Sequence, residues 1–341
     1  MKIRNETGLA FDDVLLVPRK STIGSRFDGE ISLETKIFSN LELTLPLISA
    51  NMDSVTGHSM AGVMEATGGI GIIHRFMSIQ EQINELVGLE TPIACIGVGE
   101  ESKERLRTIN KSISLVGVLI DIAHGHCDAM IEQIKWVKDN FDLRVIAGNI
   151  ATREAAFDLA VAGADCLKVG VGNGAVCTTR INTANGVPQL TALEDVYLAT
   201  KEINKMVTVI ADGGIKNAGD IVKCFAVGAD AVMIGKLFAG TEEAPGEMVM
   251  GVNGACKMYR GMASAEAQKS WKGYASSIEG EMTYLPFKGS VSKIIQNLKA
   301  GILSGMSYQD AHSLQELREN AEFVRMTNNG LIESKPHALL M

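Results

Sequence analysis

Short apolar runs alternate with longer amphipathic stretches over most of the chain. The runs are almost continuously hydrophobic, which is typical of parallel strands covered on both faces. Eight such runs occur, at residues 45–51, 68–74, 93–99, 115–123, 143–149, 166–172, 207–213 and 231–235. Helical periodicity is clearest between them at residues 79–87, 129–141, 154–162 and 193–206. Eight strand–helix units predict an α/β fold, a (β/α)8 TIM barrel whose catalytic residues lie at the carboxyl ends of the strands.

The barrel pattern runs through the chain without a break. The 341 residues contain no low-complexity segment and no recognisable linker. Barrels of this kind often exceed about 200 residues as one unit. We therefore predict a single domain over residues 1–341, with the stretch before the first strand as a short extension.

Composition and charge narrow the classes of partner. Hydrophobic residues make up 46% of the chain and charged residues 21%, which is ordinary for a globular protein. No apolar segment reaches the roughly 18 residues needed to cross a membrane, and the N-terminus has no apolar stretch of the signal-peptide kind. The net charge of −8 and the lack of a basic cluster argue against a nucleic-acid surface. These features predict a cytoplasmic protein that binds neither membrane nor nucleic acid.

The six cysteines are scattered along the chain, at positions 95, 127, 166, 177, 224 and 256. They form no Cys-x-x-Cys pair and have no histidine spacing typical of a zinc site. We expect reduced thiols. Cys95, Cys166 and Cys224 each lie inside an apolar run and are expected in the core.

The loop after the sixth predicted strand carries the most specific chemistry. Glycines at 170, 172 and 174 leave the backbone free to approach a ligand, and Cys177 follows them at once, with two threonines and Arg180 next. A buried cysteine beside a tight turn is the alternative that these residues alone leave open.

Residues 172–180, Gly-Asn-Gly-Ala-Val-Cys-Thr-Thr-Arg, resemble the active-site loop shared by inosine monophosphate (IMP) dehydrogenases and guanosine monophosphate (GMP) reductases. Other blocks of that family recur in order, at residues 11–18, 49–53, 68–75, 211–214, 239–247 and 259–262. The resemblance covers nearly the whole chain. It implies the barrel fold and a purine mononucleotide substrate, and it outweighs the alternative of an inert cysteine.

Most dehydrogenases of this family carry a pair of regulatory cystathionine-β-synthase (CBS) modules after the second strand. Here residues 79–90 lead directly to the third predicted strand. The resemblance therefore implies a barrel without an allosteric nucleotide module, as in the reductases and a minority of short dehydrogenases.

The resemblance also implies how the nucleotide is held. Asp212 would accept hydrogen bonds from the ribose hydroxyls, and glycines at the ends of the seventh and eighth strands would cradle the 5′-phosphate with the Tyr259 hydroxyl. Such glycines taken alone are equally compatible with tight turns. The full set of implied substrate contacts is Ser49, Met52, Asp212, Gly213, Gly214, Gly235, Lys236, Tyr259, Gly261 and Met262.

Three positions depart from the family pattern. Ala175 stands where a serine is usual, and Lys236 stands where serine or glycine follows the strand-eight glycine. The first change removes a phosphate hydrogen bond, and the second could replace it with a charge. Asn173, where proline is common, is a smaller change.

A nicotinamide cofactor and a monovalent cation are implied in the same way. The cofactor residues would be Asp121, Ala123, Asn149 and Lys168, although an aspartate at the position of Asp121 also suits an ordinary helix cap. His124 and His126 are interpreted as loop residues rather than ligands. Backbone carbonyls of Gly172, Gly174 and Cys177 would hold potassium, a cation that the resemblance implies more firmly for a dehydrogenase than for a reductase.

Two reactions share one intermediate in this family. A cysteine thiolate is a strong nucleophile, so Cys177 would add to C2 of the purine and form a covalent thioimidate. In a dehydrogenase, IMP gives hydride to NAD and water then releases xanthosine monophosphate (XMP). In a reductase, GMP loses ammonia and NADPH supplies hydride to give IMP.

The segment between residues 264 and 286, which we call the flap, separates the two reactions. Dehydrogenases activate water with an Arg-Tyr pair there, and no arginine occurs in this flap. Reductases carry Glu-Gly at a fixed interval before a Pro-aromatic-Lys-Gly block, which matches Glu279-Gly280 before residues 286–289. That glutamate would act with Thr179 to protonate the departing amine, whereas most surface glutamates are simply solvated.

The flap therefore favours an NADPH-dependent GMP reductase. The alternative is a short IMP dehydrogenase that uses NAD, because residues 239–247, 124–126, 323–325 and 330–334 resemble bacterial dehydrogenases more closely. A catalytically silent nucleotide-binding barrel is a third interpretation, disfavoured by the intact Cys177, Thr179, Asp212 and Tyr259. The resemblance further implies a homotetramer in which a neighbour completes the cofactor pocket.

Overall fold

The computed structural model describes residues 3–26, 29–203, 205–252, 254–276 and 278–336. Within the flap, Ser277 lies outside the described residues. Three short strands precede the barrel: β1 Val14–Leu16, β2 Thr35–Phe38 and β3 Leu41–Leu43. The N-terminal stretch is thus more than an extension. The β2–β3 hairpin closes the amino end of the barrel, where the Phe38 ring lies against Gly117 and the Thr208 hydroxyl donates to the Ile37 carbonyl at 2.7 Å.

Eight parallel strands form the barrel, as the apolar pattern predicts. They are β4 Leu47–Ser49, β5 Ile70–Gly71, β6 Ile93–Ile96, β7 Gly117–Asp121, β8 Arg144–Ile150, β9 Cys166–Val169, β10 Thr208–Asp212 and β11 Ala231–Ile234. Strands that are consecutive in the chain pair in parallel from β6 to β11, with a register shift between β8 and β9, and β11 pairs with β4. The ring closes where Ile73, just beyond β5, forms a parallel bridge with Ala94 on β6. The (β/α)8 barrel is confirmed.

Most helices cover the outside of the barrel, whereas α6 lies in the loop after β9 and α9 lies in the flap. They are α1 His58–Ala66, α2 Ile79–Leu86, α3 Glu100–Ser112, α4 Asp128–Asn140, α5 Arg153–Ala162, α6 Thr179–Thr183, α7 Gln189–Glu202, α8 Ala218–Val227, α9 Ala265–Lys272, α10 Val291–Tyr308, α11 Leu314–Asn320 and α12 Asn328–Glu333. The four helices predicted from periodicity correspond to α2, α4, α5 and α7. Among the described residues, no helix combines the length and the hydrophobicity required to cross a bilayer.

The connection from α2 to β6 consists of residues 87–92. It contains no inserted module, so the barrel without CBS modules is confirmed. Cys95, Cys166 and Cys224 are fully buried, as their apolar surroundings predict.

Four further strands follow the barrel: β12 Met248–Gly251, β13 Gly254–Arg260, β14 Met282–Pro286 and β15 Phe323–Arg325. The strands β12, β13 and β14 form an antiparallel sheet beside the carboxyl end of the barrel, and β15 pairs with β1. The flap consists of α9, the segment after it and β14, so it is anchored at both ends by the sheet through β13.

Candidate active site

A cavity of about 940 Å³ opens at the carboxyl ends of the barrel strands. Its walls are the loops that follow β4, β5 and β7 to β11, and the flap covers its outer side. Active sites of (β/α)8 barrels lie at this end because eight loops converge there.

The sequence-predicted residues meet in this cavity with one exception. Those that line it are Met52, Asp121, Ala123, Asn149, Lys168, Gly172, Gly174, Cys177, Thr179, Asp212, Gly213, Gly214, Gly235, Lys236, Tyr259, Gly261, Met262 and Glu279. Ser49 is fully buried behind the wall, and its hydroxyl accepts a hydrogen bond from Thr56 at 2.9 Å. This placement does not support Ser49 as a substrate contact, because the side chain faces the packed layer between β4 and the next loop.

Arg180 fixes the shape of the loop after β9. Its guanidinium donates to the carbonyls of Val171 at 3.0 Å and Val187 at 2.6 Å. The stem of Arg180 lies so close to Gly172 that a Cβ there would sit 2.4 Å from it, and Gly172 has a φ of 73°. Only glycine accepts both conditions without strain. The loop therefore presents Cys177 from a fixed backbone.

Three side chains form a hydrogen-bonded chain at the end of this loop. The Cys177 thiol donates to the Thr179 hydroxyl, with the sulfur and oxygen 3.2 Å apart. The Thr179 hydroxyl donates in turn to Glu279 Oε2 at 2.7 Å. A thiol, a hydroxyl and a carboxylate in this order can pass a proton along the chain, because each hydroxyl or thiol can both donate and accept.

The flap backbone holds Glu279 in place. Thr178 N–H donates to the Glu279 carbonyl at 3.1 Å, and Glu281 N–H donates to the Val176 carbonyl at 2.9 Å. The backbone of Gly280 forms bridges with Cys177 and with Ser264, whose hydroxyl caps α9. Residues 176–178 and residues 279–281 thus form a short antiparallel pair, and this pairing brings the Glu279 carboxylate from the flap to the side of Cys177.

A buried lysine joins two carboxylates at the centre of the strand ends. Lys168 on β9 lies 3.0 Å from Asp121 and 2.6 Å from Asp212. Burial alone would lower the pKa of Lys168, but the two carboxylates outweigh it and raise that pKa above its usual value. Asn51 donates to Asp121 at 2.7 Å and Asn149 donates to Asp212 at 2.9 Å. Asp121 is therefore part of this network and does not cap a helix.

The ends of β10 and β11 form a corner lined by glycines and cations. Gly213, Gly214 and Gly235 line it, and the Tyr259 hydroxyl would lie 3.2 Å from a Cβ on Gly235. Burial raises the pKa of Tyr259, with further contributions from Asp212 and Cys177, so its hydroxyl stays protonated and able to donate.

Two lysines add positive charge to the same corner. Lys236 is exposed and lines the cavity, and the Lys288 ammonium donates to the carbonyls of Lys236, Leu237 and Ala239 at 2.6, 3.2 and 2.6 Å. Burial of the ammonium and the like charge of Lys236 lower the pKa of Lys288 to about 8. A corner with two cations and the backbone amides of paired glycines suits an anion.

Several cavity residues are not predicted by the sequence pattern. The sequence pattern predicts Lys288 only as part of the Pro-aromatic-Lys-Gly block, and it predicts no role for Arg75, Phe76 and Trp271, although all four line the cavity. Asn173 is more than a minor departure, because it donates to the carbonyls of Asp212 and Gly213 at 2.9 and 3.0 Å and so ties two loops together. The replacement of the usual proline by an asparagine at position 173 is the sequence feature that could have predicted this contact.

The histidines after β7 behave as loop residues. His126 lies 2.8 Å from Asp158, away from the cavity lining. In the described part of the chain, no three histidine, cysteine, aspartate or glutamate side chains are grouped as a metal site.

Comparison with known proteins agrees with this geometry. Residues 8–337 match the family model described as the IMP dehydrogenase / GMP reductase domain. The inosine-5′-monophosphate dehydrogenase of Borreliella burgdorferi is 38% identical over 403 aligned positions covering 98% of each chain, and that of Cryptosporidium parvum is 37% identical over 97% of this chain and 95% of its own.

Among solved structures, a cysteine-to-alanine variant of GMP reductase from Trypanosoma brucei, in complex with guanosine 5′-monophosphate, superposes with a TM-score of 0.93 at 28% identity over 98% of each chain. The family match spans nearly the whole chain, and the cavity lies at the carboxyl ends of the barrel strands. The chain is an oxidoreductase that belongs to the IMP dehydrogenase / GMP reductase family, whose members act on purine mononucleotides with a nicotinamide cofactor.

Proposed function

We propose that this protein is a GMP reductase that converts GMP to IMP and ammonia with NADPH. The observation that carries the proposal is the Thr179 hydroxyl, which contacts both the Cys177 sulfur at 3.2 Å and the Glu279 carboxylate at 2.7 Å. The acid that would serve deamination is therefore connected to the nucleophile by one hydroxyl.

The chemistry follows from this connection. The Cys177 sulfur bonds to C2 of GMP, the electron pair of the C2=N3 double bond moves to N3, and the thiol proton moves through Thr179 toward Glu279. Glu279 and Thr179 then return that proton to the exocyclic amine. The pair on N3 re-forms the C2=N3 bond as the C2–N2 bond breaks, so that ammonia departs and a thioimidate remains on Cys177. NADPH, held by Asp121, Ala123, Asn149 and Lys168, would supply the hydride to C2, and the Cys177 sulfur would then leave with the C2–S bonding electrons to give IMP.

The other cavity residues divide between two ligands. Asp212, the glycines at 213, 214 and 235, and Tyr259 would hold the ribose and phosphate of the nucleotide, with Met52, Gly261 and Met262 around the base. Asp121, Ala123, Asn149 and Lys168 would face the cofactor. The buried N–H donors of Arg75 and Trp271 in the same cavity fit a dinucleotide, which carries phosphate groups.

Two predictions made by resemblance extend this proposal. Potassium would bind the carbonyls of Gly172, Gly174 and Cys177; the Gly174 carbonyl accepts a hydrogen bond from Cys177 N–H at 3.1 Å and keeps a second lone pair for a cation. A homotetramer would complete the cofactor pocket.

A short IMP dehydrogenase using NAD is the second candidate. It is supported by the names of the curated relatives, which are dehydrogenases at 32–38% identity. In that reaction water must be activated without a flap arginine, which leaves Lys272 or Tyr274 for the task.

Substitution of Glu279 tests the choice between GMP reductase and IMP dehydrogenase. Glu279→Gln should slow ammonia release from GMP by about 10²- to 10⁴-fold, the usual contribution of general acid catalysis, with little change in nucleotide affinity. Glu281→Gln is the matched control, because Glu281 is an exposed flap carboxylate two residues away and outside the cavity lining. Ammonia release is measured beside NADPH oxidation. Formation of XMP from IMP and NAD by the wild-type protein at a comparable or faster rate would show the dehydrogenase instead.

A further inference from the structure

A second, smaller cavity opens at the amino ends of the barrel strands, opposite the active site. Its volume is about 210 Å³, and it is lined by residues of β2, the carboxyl end of α7, the start of β10 and α11. Pockets for drug-sized ligands measure about 300 Å³ or more, so this cavity suits a smaller molecule.

Positive charge dominates the lining of this cavity. Lys36, Lys201 and Arg318 share it with a single carboxylate, that of Asp230. Burial raises the pKa of Asp230, against the effect of the Arg318 guanidinium at 2.8 Å. Glu42 lies opposite Lys36 in the β2–β3 hairpin but outside the lining. Cations are thus in excess here, although the whole chain has a net charge of −8, and the cavity favours an anion.

Part of the donor set at this cavity is left without an acceptor by the described residues. Arg318 Nε and Nη2 donate to the carbonyls of Phe225 and Ala229 at 3.3 and 2.7 Å, whereas its Nη1 has no partner there. Lys36 and Lys201 are exposed and form no salt bridge in the same part of the chain. These groups are available to a bound anion.

The ring of Tyr197 positions two of the cations. The Lys201 ammonium lies 4.5 Å from the centre of this ring, and the Arg318 guanidinium lies 5.6 Å from it. The ring packs on Gly228, where a Cβ would lie 2.2 Å from a ring carbon. Because an aromatic face attracts cations, the ring holds both charges at the cavity wall.

Further cations lie beside this cavity at the same end of the barrel. Thr208 N–H, at the edge of the cavity, donates to the Asp165 carbonyl at 3.1 Å. The Asp165 carboxylate lies within 4.0 Å of three cations, Lys138, Arg144 and Lys205. Burial lowers the pKa of Lys205, and the like charges of Lys138 and Arg144 lower it further against the effect of Asp165. One carboxylate does not neutralise three cations, so the positive potential extends beyond the cavity.

We propose that this cavity binds a phosphate group, either as free inorganic phosphate or as the phosphate of a small monoester. A phosphate monoester carries a charge of about −1.5 to −2 at pH 7 and three strong acceptor oxygens, which suits two lysines and a guanidinium. The cavity measures about 210 Å³ against about 940 Å³ for the active-site cavity, so a whole mononucleotide is not the expected ligand. The proposal does not depend on which reaction the active site catalyses.

Equilibrium dialysis with radiolabelled inorganic phosphate tests the site directly. The wild-type protein is first saturated with IMP without a cofactor, so that the phosphate corner of the active site is occupied and no turnover occurs. We expect one phosphate to bind per chain, with an affinity that falls as NaCl is added, because salt screens exposed charges. Ribose 5-phosphate is then added as a competitor. Displacement at a lower concentration than unlabelled phosphate assigns the site to a monoester, and displacement at an equal or higher concentration assigns it to the free anion.

A double substitution, Lys36→Gln with Lys201→Gln, should weaken phosphate binding by about 4- to 25-fold, since each exposed ion pair contributes about two- to fivefold. Both side chains are exposed, so the variant should keep its fold. Lys293→Gln with Lys299→Gln is the matched control, because it removes two exposed lysines of α10 outside the cavity lining. Lys201→Arg keeps the charge and should retain binding.

Three outcomes would overturn the proposal. If the IMP-saturated protein retains no labelled phosphate, the cavity does not bind this anion. Equal weakening by the control pair and by the cavity pair would attribute the binding to overall charge. Undiminished binding after Lys36→Gln with Lys201→Gln would place the anion elsewhere on the protein.

Discussion

At the scale of single residues, the cysteines differ by environment rather than by type. Burial raises the pKa of Cys95 to about 12, and it raises the pKa of Cys166 and of Cys224 as well, so these thiols stay protonated and packed. Cys177 is only half-buried and contacts a hydroxyl that leads to a carboxylate. The glycine-rich loop allowed the sequence to single out this cysteine, but the hydrogen-bonded chain depends on a residue about 100 positions away.

Removal of the nucleophile should separate chemistry from binding. Cys177→Ala is expected to abolish turnover, because no other thiol lines the cavity among the described residues, and to leave nucleotide binding largely intact. Calorimetric titration with GMP and an activity assay are run on the same preparation. Cys127→Ala and Cys256→Ala should keep activity, since both thiols lie outside the cavity lining. Substantial turnover by Cys177→Ala would rule out the covalent route.

The departure at Lys236 should be visible in the pH profile of nucleotide binding. The pKa of Lys288 is lowered to about 8, so its charge is present below pH 8 and lost above it. We expect KM for the nucleotide to rise as pH increases from 7 to 9. In Lys236→Ser the like charge is gone, and the rise should move to higher pH.

The Lys236 side chain is exposed, and this limits how much its charge can change nucleotide affinity. At pH 7 we expect Lys236→Ser to change nucleotide affinity by no more than about fivefold, the range of an exposed ion pair. Lys216→Ser is a suitable control, because Lys216 also lines the cavity but is paired with Asp12 at 2.6 Å. If the pH profile of the nucleotide KM is identical in wild type and Lys236→Ser, Lys236 does not influence the charge of Lys288 or the binding of the phosphate.

At the scale of elements, the barrel could be predicted and the parts around it could not. Each barrel strand is a short apolar run, so periodicity reveals all eight. The sheet of β12, β13 and β14 has its first strand fully exposed and its other strands mixed, which leaves no clear hydrophobic pattern. The flap position of Glu279 depends on backbone contacts with Thr178 and Ala263, and backbone groups leave no signal in the sequence.

The close contact between Gly280 and Gly261 sets the distance between the flap and the Cys177 loop. A Cβ on Gly280 would lie 3.2 Å from the Ser264 nitrogen and 3.3 Å from the Gly261 Cα, tighter than ordinary contacts. Gly280→Ala should therefore lift the flap by a few tenths of an ångström, lengthen the Thr179–Glu279 contact and slow deamination about 10-fold or more. Gly62→Ala is the control, because Gly62 lies in α1 with open space around it. The measurement is the single-turnover rate of ammonia release, and an unchanged rate would mean that flap height is not critical.

At the scale of the whole molecule, the floor of the site is a junction between strand ends, beneath the loops that carry the reacting groups. Lys168 on β9 connects Asp121 on β7 with Asp212 on β10, and the asparagines at 51 and 149 extend the connection to β4 and β8. The sequence predicted Asp121, Lys168 and Asp212 as separate ligand contacts. Their direct pairing requires the closed barrel, which brings distant strand ends within hydrogen-bonding distance.

Loss of this junction should affect stability and both ligands together. Lys168→Met removes a buried cation from two half-buried carboxylates, and breaking a buried pair costs at most about 3 to 5 kcal/mol, so we expect a loss of about 2 to 3 kcal/mol. We expect that loss in the free energy of unfolding from urea titration, together with weaker binding of nucleotide and of cofactor. Lys138→Met is the control, because Lys138 pairs with Asp165 at 2.5 Å outside the cavity and Arg144 remains beside that carboxylate. Adding Asp121→Asn to Lys168→Met should recover part of the stability, because it removes one unpaired carboxylate charge. Equal losses of unfolding free energy for Lys168→Met and Lys138→Met would show that the Lys168 junction stabilises the protein no more than an ordinary ion pair.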